Sequence, residues 1–106
     1  MKTGELKEIL ARRLTLELND DFALTECWTQ EVRILSEDIS DTIAFFNSCT
    51  DEEFYWVSEV FDDLIEQTQS KELFQAMCSR TEHIKDPEYK SSIATDIKFA
   101  REQFKE

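Results

Sequence analysis

Carboxylates are the most abundant reactive groups in this 106-residue chain: 24 Asp and Glu stand against 12 Lys and Arg, one histidine and three cysteines. Paired carboxylates can serve acid–base catalysis or cation binding, but so many acids bring pairs together by chance. A helical di-iron site needs Glu-x-x-His motifs from two helices. The single histidine, His83, has Arg80 three residues before it. Calcium loops need acids alternating around a glycine, and the one glycine is Gly4. Phosphate cradles need glycine-rich loops, which the same composition excludes. Cys27, Cys49 and Cys78 lack the C-x-x-C spacing of a zinc site. Cys78 and His83 do not share a helical face well enough to act as nucleophile and base. The residue types therefore predict no catalytic centre, no metal and no cofactor, with the thiols buried in a reducing compartment.

Charge is the more informative feature. The formal net charge is −12, which argues against nucleic acid or an anionic membrane as a direct ligand and favours a basic protein partner. The charge is also local. From Ile34 to Ser70 there is no Lys or Arg, while Glu37, Asp38, Asp41, Asp51, Glu52, Glu53, Glu59, Asp62, Asp63 and Glu66 all fall there. At about 100° per residue, a helix from Asp51 to about Gln67 buries Phe54, Val57, Phe61, Leu64 and Ile65. Tyr55, Glu59, Asp62 and Glu66 then share the opposite face. Glu52 and Asp63 flank it, Trp56 lies at its edge, and Asp41 can contribute from the preceding helix. Aromatic residues among like charges suit a cationic protein partner, because Tyr and Trp give contact area at little rotamer cost. These eight residues are the expected partner-binding set. The competing expectation is a solvated acidic face, with Tyr55 covered by the first helices. Trp28 reads either as a core anchor between the first two helices or as part of an extended interface.

The elements that must position these residues are helical. One glycine and one proline are too few for the tight turns of a sheet-rich domain, and the length suits a single domain spanning residues 1–106. Thr3 is placed to cap a first helix running to about Leu18, with Leu6, Ile9, Leu10 and Leu14 at helical spacing. A second helix is expected from about Thr25, with a short strand as the alternative over residues 22–34. A third runs from Ser36 to the region of Cys49. Thr50-Asp51-Glu52-Glu53 has the form of a capping box. Ser70 is expected to cap the next helix, and Asp86-Pro87 to open the last. The prediction is an all-α fold of about five helices in antiparallel hairpins, with a slight superhelical twist as an option. The first residues lack the apolar core of a signal peptide, and no run approaches the ~20 apolar residues of a membrane span, so a cytoplasmic location is expected.

The run Phe54-Tyr55-Trp56-Val57-Ser58-Glu59-Val60-Phe61-Asp62-Asp63, continued by Gln67-Thr68-Gln69-Ser70-Lys71-Glu72 and Asp96-Ile97-Lys98-Phe99-Ala100, resembles small bacterial immunity proteins. These accompany polymorphic toxins, including those of contact-dependent growth inhibition systems. The resemblance covers roughly residues 36–104 and lies in overall pattern, not in a diagnostic motif. It implies a non-enzymatic inhibitor that binds a cognate toxin domain, usually a nuclease with a basic surface. Without the resemblance, the residues themselves supply only an acidic, aromatic-bearing face, which would equally serve a helical adaptor or regulatory subunit on another basic protein.

Overall fold

The computed structural model describes residues 2–17 and 19–105. Their regular structure is entirely helical: α1 (Thr3–Leu14), α2 (Asp21–Glu37), α3 (Ile39–Ser48), α4 (Asp51–Val57), one 3₁₀ turn (Ser58–Val60), α5 (Phe61–Thr68), α6 (Lys71–Glu82) and α7 (Pro87–Arg101). The α4–3₁₀–α5 run is continuous, so six helical rods stand where about five were expected.

Helix boundaries written in short-range chemistry fall where the sequence places them. The Thr50 hydroxyl accepts the Glu53 amide at 3.1 Å, and the Glu53 carboxylate accepts the Thr50 amide at 2.9 Å, closing the capping box. Ser70 caps α6 through the Leu73 amide, and Asp86 caps α7 ahead of Pro87. Other boundaries move. Lys2, not Thr3, holds the N-cap position of α1, and no side chain caps that exposed end. This helix stops at Leu14, and Leu18 lies outside the described residues. Asp20 accepts the Ala23 amide and starts α2 at Asp21, four residues earlier than Thr25, with no strand among the described residues. At the far end α2 continues through Ser36 to Glu37. Asp38, in extended conformation, then caps α3 at Ile39.

Three phenylalanines from separate elements centre the core. Phe46 (α3), Phe54 (α4) and Phe61 (α5) are fully buried, with ring centroids 5.2–5.7 Å apart in tilted or edge-on pairs. Each such side chain contributes about 1.5–3 kcal/mol by burial alone. Leu6, Leu35, Leu64, Leu73, Met77 and Ile93 extend the core to the remaining helices. Arg80 joins α6 to the α3–α4 corner: its guanidinium donates to the Phe46 and Cys49 carbonyls and to Asp51, at 2.8–3.0 Å. Two orphan carbonyls of the α3 terminus are thereby satisfied.

Neighbours in sequence pair as hairpins at α1–α2 and α6–α7, but α3 packs mainly on α6, and α4 and α5 on α7. The nearly equal extents of 32 × 29 × 25 Å belong to a globule and not to an elongated superhelix. Gln69 terminates α5 in the left-handed region, at φ 51°. Its side-chain amide reaches the Gln103 carbonyl (2.8 Å) and the Lys105 amide (2.8 Å), holding the C-terminal turn against α5.

Replacing Thr50 by Ala removes the cap and leaves the Glu53 amide without its acceptor. Stability is expected to fall by about 1 kcal/mol, read as a lower urea midpoint at unchanged m-value. An unshifted midpoint would show that the capping box is not a determinant of this corner.

Candidate functional site

The expected stripe of Tyr55, Glu59, Asp62 and Glu66 is interrupted. The 3₁₀ turn at Ser58–Val60 lies between Tyr55 and Asp62, and its tighter winding breaks the 100° progression on which the stripe rested. Its Ser58 hydroxyl is 2.6 Å from the Tyr55 carbonyl and 2.9 Å from the Asp96 carboxyl of α7. Burial holds that Asp96 carboxyl above its ordinary range, against the lowering effect of the Ser58 hydrogen bond.

Glu59 turns inward. Arg13 of α1 grips it with two parallel hydrogen bonds, Nε to Oε1 at 2.9 Å and Nη2 to Oε2 at 2.7 Å. The Trp28 indole N–H also donates to it at 3.4 Å. Arg13 is only 5% exposed, and its guanidinium lies 5.1 Å from the centre of the Trp56 ring. A bidentate, partly desolvated pair of this kind is far stronger than a surface ion pair. The first helices thus cover Glu59, whereas Tyr55 is covered by the last one: its ring stacks on Tyr89 at 4.3 Å and 15°. Trp56 meets Tyr55 edge-on at 5.2 Å.

Beside the Arg13–Glu59 pair lies an unsatisfied buried carboxyl. Glu31 of α2 is 0% exposed, and neither carboxylate oxygen has a hydrogen-bond partner. Its pKa is pushed up from 4.5 to about 8, first by burial and then by the Glu59 charge, with Arg13 opposing. At neutral pH Glu31 is therefore a protonated acid, and the Arg13 charge is left to Glu59.

The remaining carboxylates face outward in separate places. Asp62 is half-buried, while Asp63 and Glu66 are exposed on α5. Asp63 and Glu66 form one wall of a groove of about 480 Å³, whose other wall is Thr25, Trp28 and Val32 of α2, with Lys105 at its end. Partial burial and the charges of Asp62 and Glu66 all raise the Asp63 pKa, which marks a site where a cation would relieve repulsion. Trp28 is half-buried: its N–H bonds inward to Glu59, and it also lines the groove. Glu52 is exposed on the first turn of α4, near Tyr89. Asp41 lines a different depression, with Thr3, Ala44, Phe45 and Ser48.

The other candidate reactive groups are the three thiols and the histidine. The three thiols are free, and burial raises the pKa of each, Cys49 to about 11, so none is an activated nucleophile at neutral pH. His83 is exposed at the end of α6, its Nδ1 3.1 Å from the Ser79 carbonyl. Among the described residues no group of three or more His, Cys, Asp and Glu is placed to hold a metal ion, and no helix is long and apolar enough to cross a membrane. No protein-family model matches the chain, and no curated protein or solved structure resembles it significantly.

The buried acid gives a signed pH dependence. Glu31 titrates at about 8 in the folded chain but near its ordinary value once unfolded. Its contribution is fully present below about 4.5 and is lost as pH rises toward 8, at roughly 1.4 kcal/mol per pH unit. Glu31→Gln is expected to be more stable than the parent at pH 8 and to lose most of that advantage at pH 5, in urea melts at both values. An advantage independent of pH would contradict the buried, protonated state.

Proposed function

We propose that this protein is an immunity protein that binds and neutralises a cognate toxin domain, a nuclease with a basic surface, in the cytoplasm of the producing cell. Binding is non-covalent and needs no cofactor. The observation that carries the reading is the α2–α5 groove, where Asp63 and Glu66 face the Trp28 ring and Asp62 stands alongside. A Lys or Arg side chain entering it would meet two carboxylates and an aromatic wall together.

Glu52 adds charge on α4, and Asp41 lies on a separate part of the acidic surface. Under this reading Glu59 is a positioning residue that holds Trp28 and Arg13, while Tyr55 and Trp56 set the packing of α4. The long-range field of a chain at −12 would steer a basic partner and make association salt-sensitive. The toxin itself is supplied by the resemblance to immunity proteins. The physical chemistry supports a basic partner.

The test is affinity for the toxin domain encoded beside this gene, measured by calorimetry at two salt concentrations. Asp63→Lys with Glu66→Lys is expected to weaken binding by roughly 100-fold or more and to flatten its salt dependence. Glu8→Lys with Glu102→Lys, an equal charge change at exposed positions outside the groove, is expected to cost about tenfold or less. Equal losses from the two pairs would show that net charge acts without this groove. No binding by the parent protein would remove the toxin reading.

A further inference from the structure

A second groove runs between α1 and α4, on walls of different chemistry. Leu10, Ala11 and Leu14 come from α1 and Trp56 from α4, enclosing about 200 Å³, room for a single bulky side chain. Leu14 continues the stripe of Leu6 and Leu10, yet it is 50% exposed while they are buried. The apolar stripe of α1 thus runs on past the core into an open slot. Trp56 supplies the facing aromatic wall of that slot.

The rim decides what can enter. Lys7 is 3.8 Å from Glu53, and Glu53 is also held by the capping box. Glu52 remains an exposed carboxylate at the edge. A second copy of the chain would bring another −12 of charge against this rim, so self-association is opposed.

We propose that this groove is a second docking point for the basic partner, taking one bulky aliphatic side chain that has a Lys or Arg next to it. The aliphatic group fills the slot against Leu14 and Trp56, and the neighbouring cation pairs with Glu52. This rests on the basic-partner reading and extends it from a charged contact to an apolar anchor flanked by charge, the arrangement in which interface hot spots concentrate.

The two tryptophans make the test internal, since Trp56 lines this groove and Trp28 the acidic one. The full chain, labelled with nitrogen-15, is titrated with capped arginyl-leucyl-arginine and with capped arginyl-alanyl-arginine, following both indole N–H signals. The leucyl peptide is expected to move the Trp56 signal along a saturating curve, about tenfold tighter than the alanyl peptide. Leu14→Lys is expected to abolish that response and leave the Trp28 response in place. A Trp56 signal that stays still, or that moves equally with both peptides, overturns the proposal whatever Trp28 does. A Trp56 response with Trp28 silent supports it and counts against the acidic groove instead.

Discussion

The Arg13–Glu59 pair is the interaction on which the arrangement of this molecule turns. It links residues 46 positions apart, joins α1 to the 3₁₀ turn, and is sealed by Trp56 beneath the guanidinium and Trp28 beside the carboxylate. A partly buried ion pair stabilises only when its geometry and remaining hydrogen bonds offset the loss of hydration. Two short parallel bonds and an indole donor meet that condition. A second ionised carboxylate in the same place would upset it, and burial pushes the adjacent Glu31 toward its neutral form, with a pKa of about 8. The cluster is thus one guanidinium, one carboxylate and one protonated acid.

That interior chemistry shapes the exterior. The central acidic stretch contains no basic residue of its own, and cations reach it from outside: buried Arg13 from α1 onto Glu59, and half-buried Arg80 from α6 onto Asp51. Glu53 is engaged by its capping box. What faces solvent around α5 is the group of carboxylates that these contacts do not involve, Asp63 and Glu66 with Asp62 beside them. Internal pairing therefore sorts one acidic run into structural carboxylates and outward-facing ones. The outward set borders a groove with an aromatic wall, while the α1–α4 slot offers an apolar one.

The legible parts of this fold were those encoded within four residues. The capping box at Thr50, the Ser70 cap and the Asp86-Pro87 start rest on local hydrogen bonds, and so does the helical periodicity of the buried leucines and phenylalanines. Less legible was Asp38, which divides α2 from α3 inside an unbroken apolar pattern spanning Leu35 and Ile39. The 3₁₀ turn was invisible because nothing at Ser58 excludes an α-helix; its hydroxyl also meets Asp96, 38 residues away. Glu59 and Tyr55 were read as outward because an ideal helix puts them opposite Phe61 and Leu64. A helical wheel does not contain the neighbouring helices that cover them. The buried Glu31 left no signal, since an acid among Trp28, Val32 and Ile34 reads as the polar face of an amphipathic helix. Asp63 and Glu66 were recognisable by charge, but their groove required α2 to lie alongside.

The central claim is that the acidic run is divided into internally paired and outward-facing carboxylates, and chemical labelling of carboxyl groups reads that division residue by residue. Carbodiimide coupling of glycine ethyl ester, followed by peptide mass spectrometry, would be run on the free protein and on its mixture with the proposed basic partner. Asp63 and Glu66 are expected to label readily in the free protein and to be protected in the mixture, whereas Glu31 and Glu59 resist labelling in both. Ready labelling of Glu59 in the free protein, or unchanged labelling of Asp63 and Glu66 in the mixture, would contradict the account.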